Sequence, residues 1–233
     1  MEENKEIKIK VLKNGPYQVV GGAPLNQLKF VPNSRGFSLS YEKVKDYPEQ
    51  DTYYLCRCGK TKNKPFCDGS HNEGFDGTET AGHKQYEEMA ELIEGKYDID
   101  LLDAEELCVH ARFCNIKSGT WNLIQNGFNE ETQEWVKQQC ADCPSGRLTA
   151  ITKEGKLLEP DLAMEISILE DVAAEVHGPI WVKGGISIED EHGKIYPVRN
   201  RVTLCRCGKS RIKPFCDGVH MKHKGELKKE ELG

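Results

Sequence analysis

The feature that most limits how this chain can fold is an internal repeat built around cysteines. Cys56-Arg57-Cys58-Gly59-Lys60-Thr61, then Lys64-Pro65-Phe66-Cys67-Asp68-Gly69-Ser70-His71, returns as Cys205-Arg206-Cys207-Gly208-Lys209-Ser210, then Lys213-Pro214-Phe215-Cys216-Asp217-Gly218-Val219-His220. Every cysteine and the histidine keep their spacing. The match extends upstream, where Gly15-Pro16-Tyr17-Gln18-Val19-Val20-Gly21-Gly22 answers Gly178-Pro179-Ile180-Trp181-Val182-Lys183-Gly184-Gly185. Whole modules were duplicated, and duplication constrains the architecture before any single element is assigned. Apolar alternation predicts opening strands over residues 7–12 and 166–169, second strands over 17–20 and 180–182, and strands entering the cysteine loops over 52–55 and 201–204. The first copy is longer between its second strand and its motif, and the extra residues are assigned to a loop insertion around 32–35.

Between the copies lies a different segment, with a helical-looking run over 86–93, a strand-like run over 96–102, and a second cysteine group. Gly95 and Gly155 are plausible breakpoints near its ends. The resulting division is a first module over 1–78, an insert over 79–160 and a second module over 161–233. Trp121 and Trp135 are expected in the core of the insert, and Trp181 on a strand of the second module.

Ten cysteines need an explanation in a chain whose start has no apolar h-region and which has no stretch of apolar residues long enough for a membrane helix. A cytoplasmic protein is expected, and in that reducing compartment metal or redox chemistry explains cysteines better than disulfides do. The net charge of −6 is concentrated in an acidic middle, without the basic, aromatic-interleaved face of a nucleic-acid binder. The Lys-rich tail also carries glutamates and reads as a solvated end. No Ser-His-Asp order, phosphate-cradling glycine loop or carboxylate pair accompanies a motif, so an enzyme is not expected.

Cys-x-Cys, eight residues, Cys, three residues, His gathers four soft or borderline donors into one compact loop. Three cysteines and a histidine suit a structural zinc as well as an iron-sulfur centre. The full pattern resembles the CDGSH, or NEET, family, and both copies match it except at Val219, which stands where a small or hydroxylated residue is usual. That resemblance implies two 2Fe-2S clusters. Cys56 and Cys58 would hold the inner iron of the first, with Cys67 and His71 on the outer; Cys205, Cys207, Cys216 and His220 would do the same in the second.

An imidazole in place of a fourth thiolate raises the centre's charge and its potential. Arg57, Lys60, Lys62 and Lys64, with Arg206, Lys209, Arg211 and Lys213, are placed to favour the added electron. Thr61 and Ser210 can donate hydroxyl bonds to sulfur, Gly69 and Gly218 let backbone approach the sulfides, Pro65 and Pro214 stiffen the loops, and Asp68 and Asp217 can cap a following short helix.

The middle group, Cys108-Val109-His110-Ala111-Arg112-Phe113-Cys114 and Cys140-Ala141-Asp142-Cys143-Pro144-Ser145-Gly146-Arg147, follows a ferredoxin plan whose central cysteine is replaced by Ala111. Three thiolates remain, Cys108, Cys114 and Cys143, which suits 3Fe-4S ahead of 4Fe-4S. The segment is similar to the divergent single-cluster ferredoxin domain found joined to CDGSH motifs. Cys140 or His110 could complete a four-iron centre, and the four cysteines together could hold zinc. His83, His177, His192 and His223 have no ligand spacing.

These readings lead to an α+β, mostly β protein. Its two β-cap modules pair with pseudo-two-fold symmetry inside one chain, as a monomer, and carry a small ferredoxin-like insert. The expected function is electron transfer to a redox partner protein. Storage or delivery of clusters to an apo-acceptor, or redox sensing, is the alternative, and a zinc-binding structural module ranks last.

Overall fold

The computed structural model describes residues 6–127 and 129–232; residues 1–5, half of the start on which the compartment expectation drew, lie outside it, as do 128 and 233. The duplicated strands form where alternation places them. In the first module β1 (Lys8–Val11), β2 (Tyr17–Val20) and β5 (Thr52–Leu55) make an antiparallel sheet, and their equivalents β9 (Glu165–Asp171), β10 (Val176–Lys183) and β12 (Arg201–Leu204) make another.

Each module then lends a strand to the other. After β2 the chain crosses over, and β3 (Leu25–Pro32) pairs in parallel with β9; after β10 it crosses back, and β11 (Ser187–Glu189) pairs in parallel with β1. Ile9, Val19 and Leu55 of one sheet pack with Ile166, Ile180 and Leu204 of the other in a single buried cluster. The inner face of each sheet is thus covered by the other, which accounts for the pseudo-two-fold pairing.

The extra residues of the first copy are not a loop. They form β4 (Ser38–Asp46), a hairpin partner of β3 at the sheet edge, joined by a turn in which Asn33 Oδ1 accepts from Arg35 N and Phe37 N. The strand is anchored through Tyr41, whose ring stacks on Trp181 and Phe113 and whose hydroxyl donates to Asp142 O at 2.7 Å. It therefore ties the insert to the second module.

In the insert, β6 (Glu91–Ile93), β7 (Ile99–Asp103) and β8 (Leu148–Thr152) form a small antiparallel sheet. Only the start of the run expected to be helical is helix, as α1 (Tyr86–Met89); its end is β6. Two helices that the sequence did not reveal, α2 (Thr120–Asn126) and α3 (Glu130–Ala141), bring Ile124, Val136 and Cys140 over Leu101, Leu148 and Ala150. Trp121 packs at this core, whereas Trp135 is half-exposed beneath Lys117. Among the described residues no helix is long and apolar enough to cross a membrane.

The two cysteine loops meet backbone to backbone. A Cβ on Gly59 would stand 2.7 Å from Cys207 O, and one on Gly208 2.6 Å from Cys58 O, with both glycines at positive φ. Gly59→Ala and Gly208→Ala are each expected to cost about 1–3 kcal/mol for the backbone conformation alone, with the clash added. The check is a lower midpoint in urea unfolding, to a similar extent in both variants.

Candidate metal centres

In each repeat a strand delivers the first cysteine and a short 3-10 turn delivers the histidine. β5 ends at Leu55, so Cys56 and Cys58 follow at its mouth; Gly69, at φ 89°, opens the turn Ser70–Asn72 that carries His71. In the second copy Cys205 and Cys207 follow β12, and Gly218, at φ 76°, opens the turn Val219–Lys222 that carries His220. Asp68 Oδ1 accepts from Ser70 N and Asp217 Oδ1 from Val219 N, so both aspartates brace the start of these turns.

The donors converge in pairs. Cys56 Sγ lies 3.6 Å from Cys58 Sγ and Cys67 Sγ 3.3 Å from His71 Nδ1; Cys205 and Cys207 are 3.7 Å apart, and Cys216 Sγ is 3.3 Å from His220 Nδ1. Two thiolates on one tetrahedral metal with metal–sulfur bonds of about 2.3 Å stand about 3.8 Å apart, so each pair fits one metal ion. Among the described residues no three His, Cys, Asp or Glu side chains converge to hold a single ion.

The protonation chemistry also fits a cation. Burial pushes the Cys58 thiol up to about 11. Cys205 and Cys207 share a proton: their mutual hydrogen bond draws Cys205 down towards thiolate and drives Cys207 up. Burial favours the neutral form of such thiols in the absence of a metal, and a bound cation would draw off their protons. Burial, with Arg206 adding to it, lowers His220 to about 4, which keeps the imidazole in its neutral, ligating form at neutral pH.

Two expectations are revised by the hydrogen bonding. The Thr61 hydroxyl donates to Phe66 O at 2.7 Å and accepts from Asn63 N, so its proton serves the loop, whereas Ser210 Oγ accepts from Ile212 N and its proton is not committed there. Backbone also approaches sulfur, as Lys60 N does at 3.4 Å from Cys58 Sγ. Much of the basic charge is also paired. Arg206 is buried against Glu170, which also binds His177; Lys64 meets Glu231, and Arg211 meets Asp217. His177, a residue without ligand spacing, joins Lys64 of the first loop to Glu170 and so to Arg206 of the second.

The two copies differ in exposure. Cys67 and His71 are half-buried, whereas Cys216 and His220 are 2 % and 4 % exposed. The insert makes the difference, since Val109, Ala111 and Phe113 pack in one cluster with Cys216.

Cys108, Cys114 and Cys143 line a single cavity of about 160 Å³ in the insert, together with His110, Trp121 and Arg147. Arg147 is held by Asp103 through bonds of 2.6 and 2.9 Å. Burial, then Cys143 and Cys108, push the Cys114 thiol up to about 12, a penalty that a metal would relieve. Cys140 does not line this cavity: it is fully buried on α3 among Ile124, Val136 and Leu148.

The three ligand loops touch one another. Besides the contact at Gly59 and Gly208, a Cβ on Gly218 would lie 2.7 Å from Cys108 O and 2.5 Å from His110 Cδ2. A small cavity of about 40 Å³ is lined by Cys56 and Gly59 from the first loop and by Cys207 and His220 from the second.

Comparison with family models agrees with this layout. The family described as an iron-binding zinc finger of CDGSH type matches residues 14–72 and 177–221, and that described as a divergent 4Fe-4S mono-cluster matches 93–153. That description is of a four-iron centre, where three thiolates had suggested three irons. No curated protein and no solved structure matches the chain.

Proposed function

Because this chain belongs to the CDGSH iron-sulfur family, in a form with two such motifs flanking a divergent mono-cluster segment, we propose that it carries single electrons along a row of three contiguous centres. The two end loops, each with three cysteines and one histidine, take 2Fe-2S clusters, and the insert takes a four-iron cluster. When bound, these groups supply one-electron redox chemistry; the protein holds their loops in contact and sets how much water reaches each.

The observation that carries this reading is the continuity of the loops. Cys58 and Cys207 lie at the seam between the two modules, and Cys108 lies against Gly218 of the second loop. A protein that only stored clusters would gain nothing from joining three sites backbone to backbone. The acidic insert suits a partner with a basic face. The half-buried Cys67 and His71 favour a second reading for the first centre alone, delivery of its cluster to an apo-acceptor.

The test is anaerobic reductive titration, followed by reoxidation and repeated over several cycles, with electron paramagnetic resonance at each stage. A carrier takes up and returns its electrons with its iron content unchanged. Progressive transfer of iron to an added apo-ferredoxin during cycling would replace carriage by delivery.

A further inference from the structure

The geometry assigns His110 as the fourth protein ligand of the centre in the insert, beside Cys108, Cys114 and Cys143. This rests on the reading of the insert as an iron-sulfur segment and names the residue that its fourth iron needs. Three cysteines line the cavity, and the remaining one, Cys140, is absent from its lining and fully buried in the core cluster against whose edge Cys114 and Cys143 pack. His110 lines the cavity too, with Nδ1 4.0 Å from Cys108 Sγ. Nδ1 is also the atom that faces sulfur at His71 and at His220.

The backbone is held in an uncommon shape to put the ring there. His110 has φ 56° and Arg112 φ 65°, a left-handed conformation that costs non-glycine residues about 1–2 kcal/mol each. The side chain of Arg112 secures it: Nη1 donates to His110 O at 3.1 Å, Nε to Gly36 O at 2.8 Å, and Nη2 to Asp171 Oδ1 at 2.7 Å. From the other side Gly218 leaves room for the ring, since a Cβ there would meet His110 Cδ2 at 2.5 Å. A surface histidine with no task would not need a strained backbone and a three-bond clamp on the next residue but one. The Gly218 contact sets the ring of this ligand against the loop that presents His220.

The experiment uses the full chain, reconstituted without oxygen, with iron and acid-labile sulfide counted and paramagnetic resonance recorded on oxidised and reduced samples. His110→Asn is the informative variant, because asparagine tolerates the left-handed backbone and is a far poorer iron ligand. The middle centre is expected to lose one iron and to show the signal of an oxidised three-iron cluster, absent from the unsubstituted protein. His110→Cys is expected to restore the fourth iron, and Cys140→Ala to leave the count unchanged.

An unchanged iron count and spectrum in His110→Asn overturns the assignment, as does loss of the fourth iron in Cys140→Ala instead, or a three-iron cluster in the unsubstituted protein. The visible absorption of the two CDGSH centres reports folding of every variant. Iron stoichiometry does not depend on whether the chain delivers electrons or clusters, so failure of the ligand assignment is distinct from failure of electron carriage. Absence of any iron beyond that of the CDGSH loops defeats both the ligand and the three-centre reading.

Discussion

Arg201→Met should destabilise the chain by about 1–3 kcal/mol, and the insert should come loose before the β-sheets unfold. Arg201 sits on β12 of the second module with its side chain fully buried, and it reaches into the insert. Its Nη1 donates to the carbonyls of Cys140 and of Cys143, in the turn that follows α3, and Nη2 and Nε pair with Glu159 at 2.6 and 2.8 Å. Removing the guanidinium takes away these links across the seam and leaves the solvent-exposed Glu159 carboxylate to Asn200 and Thr149; losing such hydrogen bonds to a charged group costs about 1–3 kcal/mol. Burial alone would raise the Glu159 carboxyl, but Arg201 outweighs it and holds the group below its usual range. The contribution of the pair is therefore present above the ordinary carboxylate range and is lost as the pH falls through it. Urea unfolding followed at tryptophan should show an early phase in the variant, because Trp121 reports on the insert and Trp181 on the sheet. A single transition at the unsubstituted midpoint would show that Arg201 does not hold the insert.

How far the molecule could be read from its sequence follows from where its periodicities are clean. The strands common to both repeats were legible because those of the first copy, Lys8–Val11, Tyr17–Val20 and Thr52–Leu55, alternate in burial, and because each reappears in the second copy, where the strands are buried on both faces and the repeat alone marks them. The exchange of strands was not. β3 is central in its sheet and buried along most of its length, so its residues do not alternate, and β11 has only three residues. β4 presents charged residues outward along an edge, which in sequence looks like a loop. α3 buries only Val136, Gln139 and Cys140 in an otherwise polar run, too weak a stripe to mark a helix. The eight donors of the end motifs were fixed by spacing within single loops. His110 and Cys140 were left open because the choice between them depends on which way α3 turns a side chain, and that is decided by packing against β7 and β8.

The two end centres, alike in sequence, are expected to part company in acid. At about pH 5.5 the visible absorption should decay in two phases, with the first centre, whose histidine is half-buried, lost faster than the second. A neutral imidazole binds iron and a protonated one cannot, and an imidazole in water titrates near about 6.5. His220 is lowered to about 4, by burial first and by Arg206 next. It therefore stays neutral in the fold through the interval between those values, each unit of which is worth about a factor of ten in protonated fraction. The sign follows from the direction of the shift: a depressed histidine favours the folded, ligated state above its unfolded value and loses that advantage as pH falls towards the folded one. The first copy differs in its surroundings: Cys67 and His71 are half-buried, whereas Val109, Ala111 and Phe113 of the insert pack with Cys216. His71→Cys should abolish the fast phase and leave the slow one, and His220→Cys should leave the fast phase intact. If decay is a single phase, or if His220→Cys removes the faster one, then the shelter that Val109, Ala111 and Phe113 give to Cys216 does not extend to the iron, and burial is not what separates the copies.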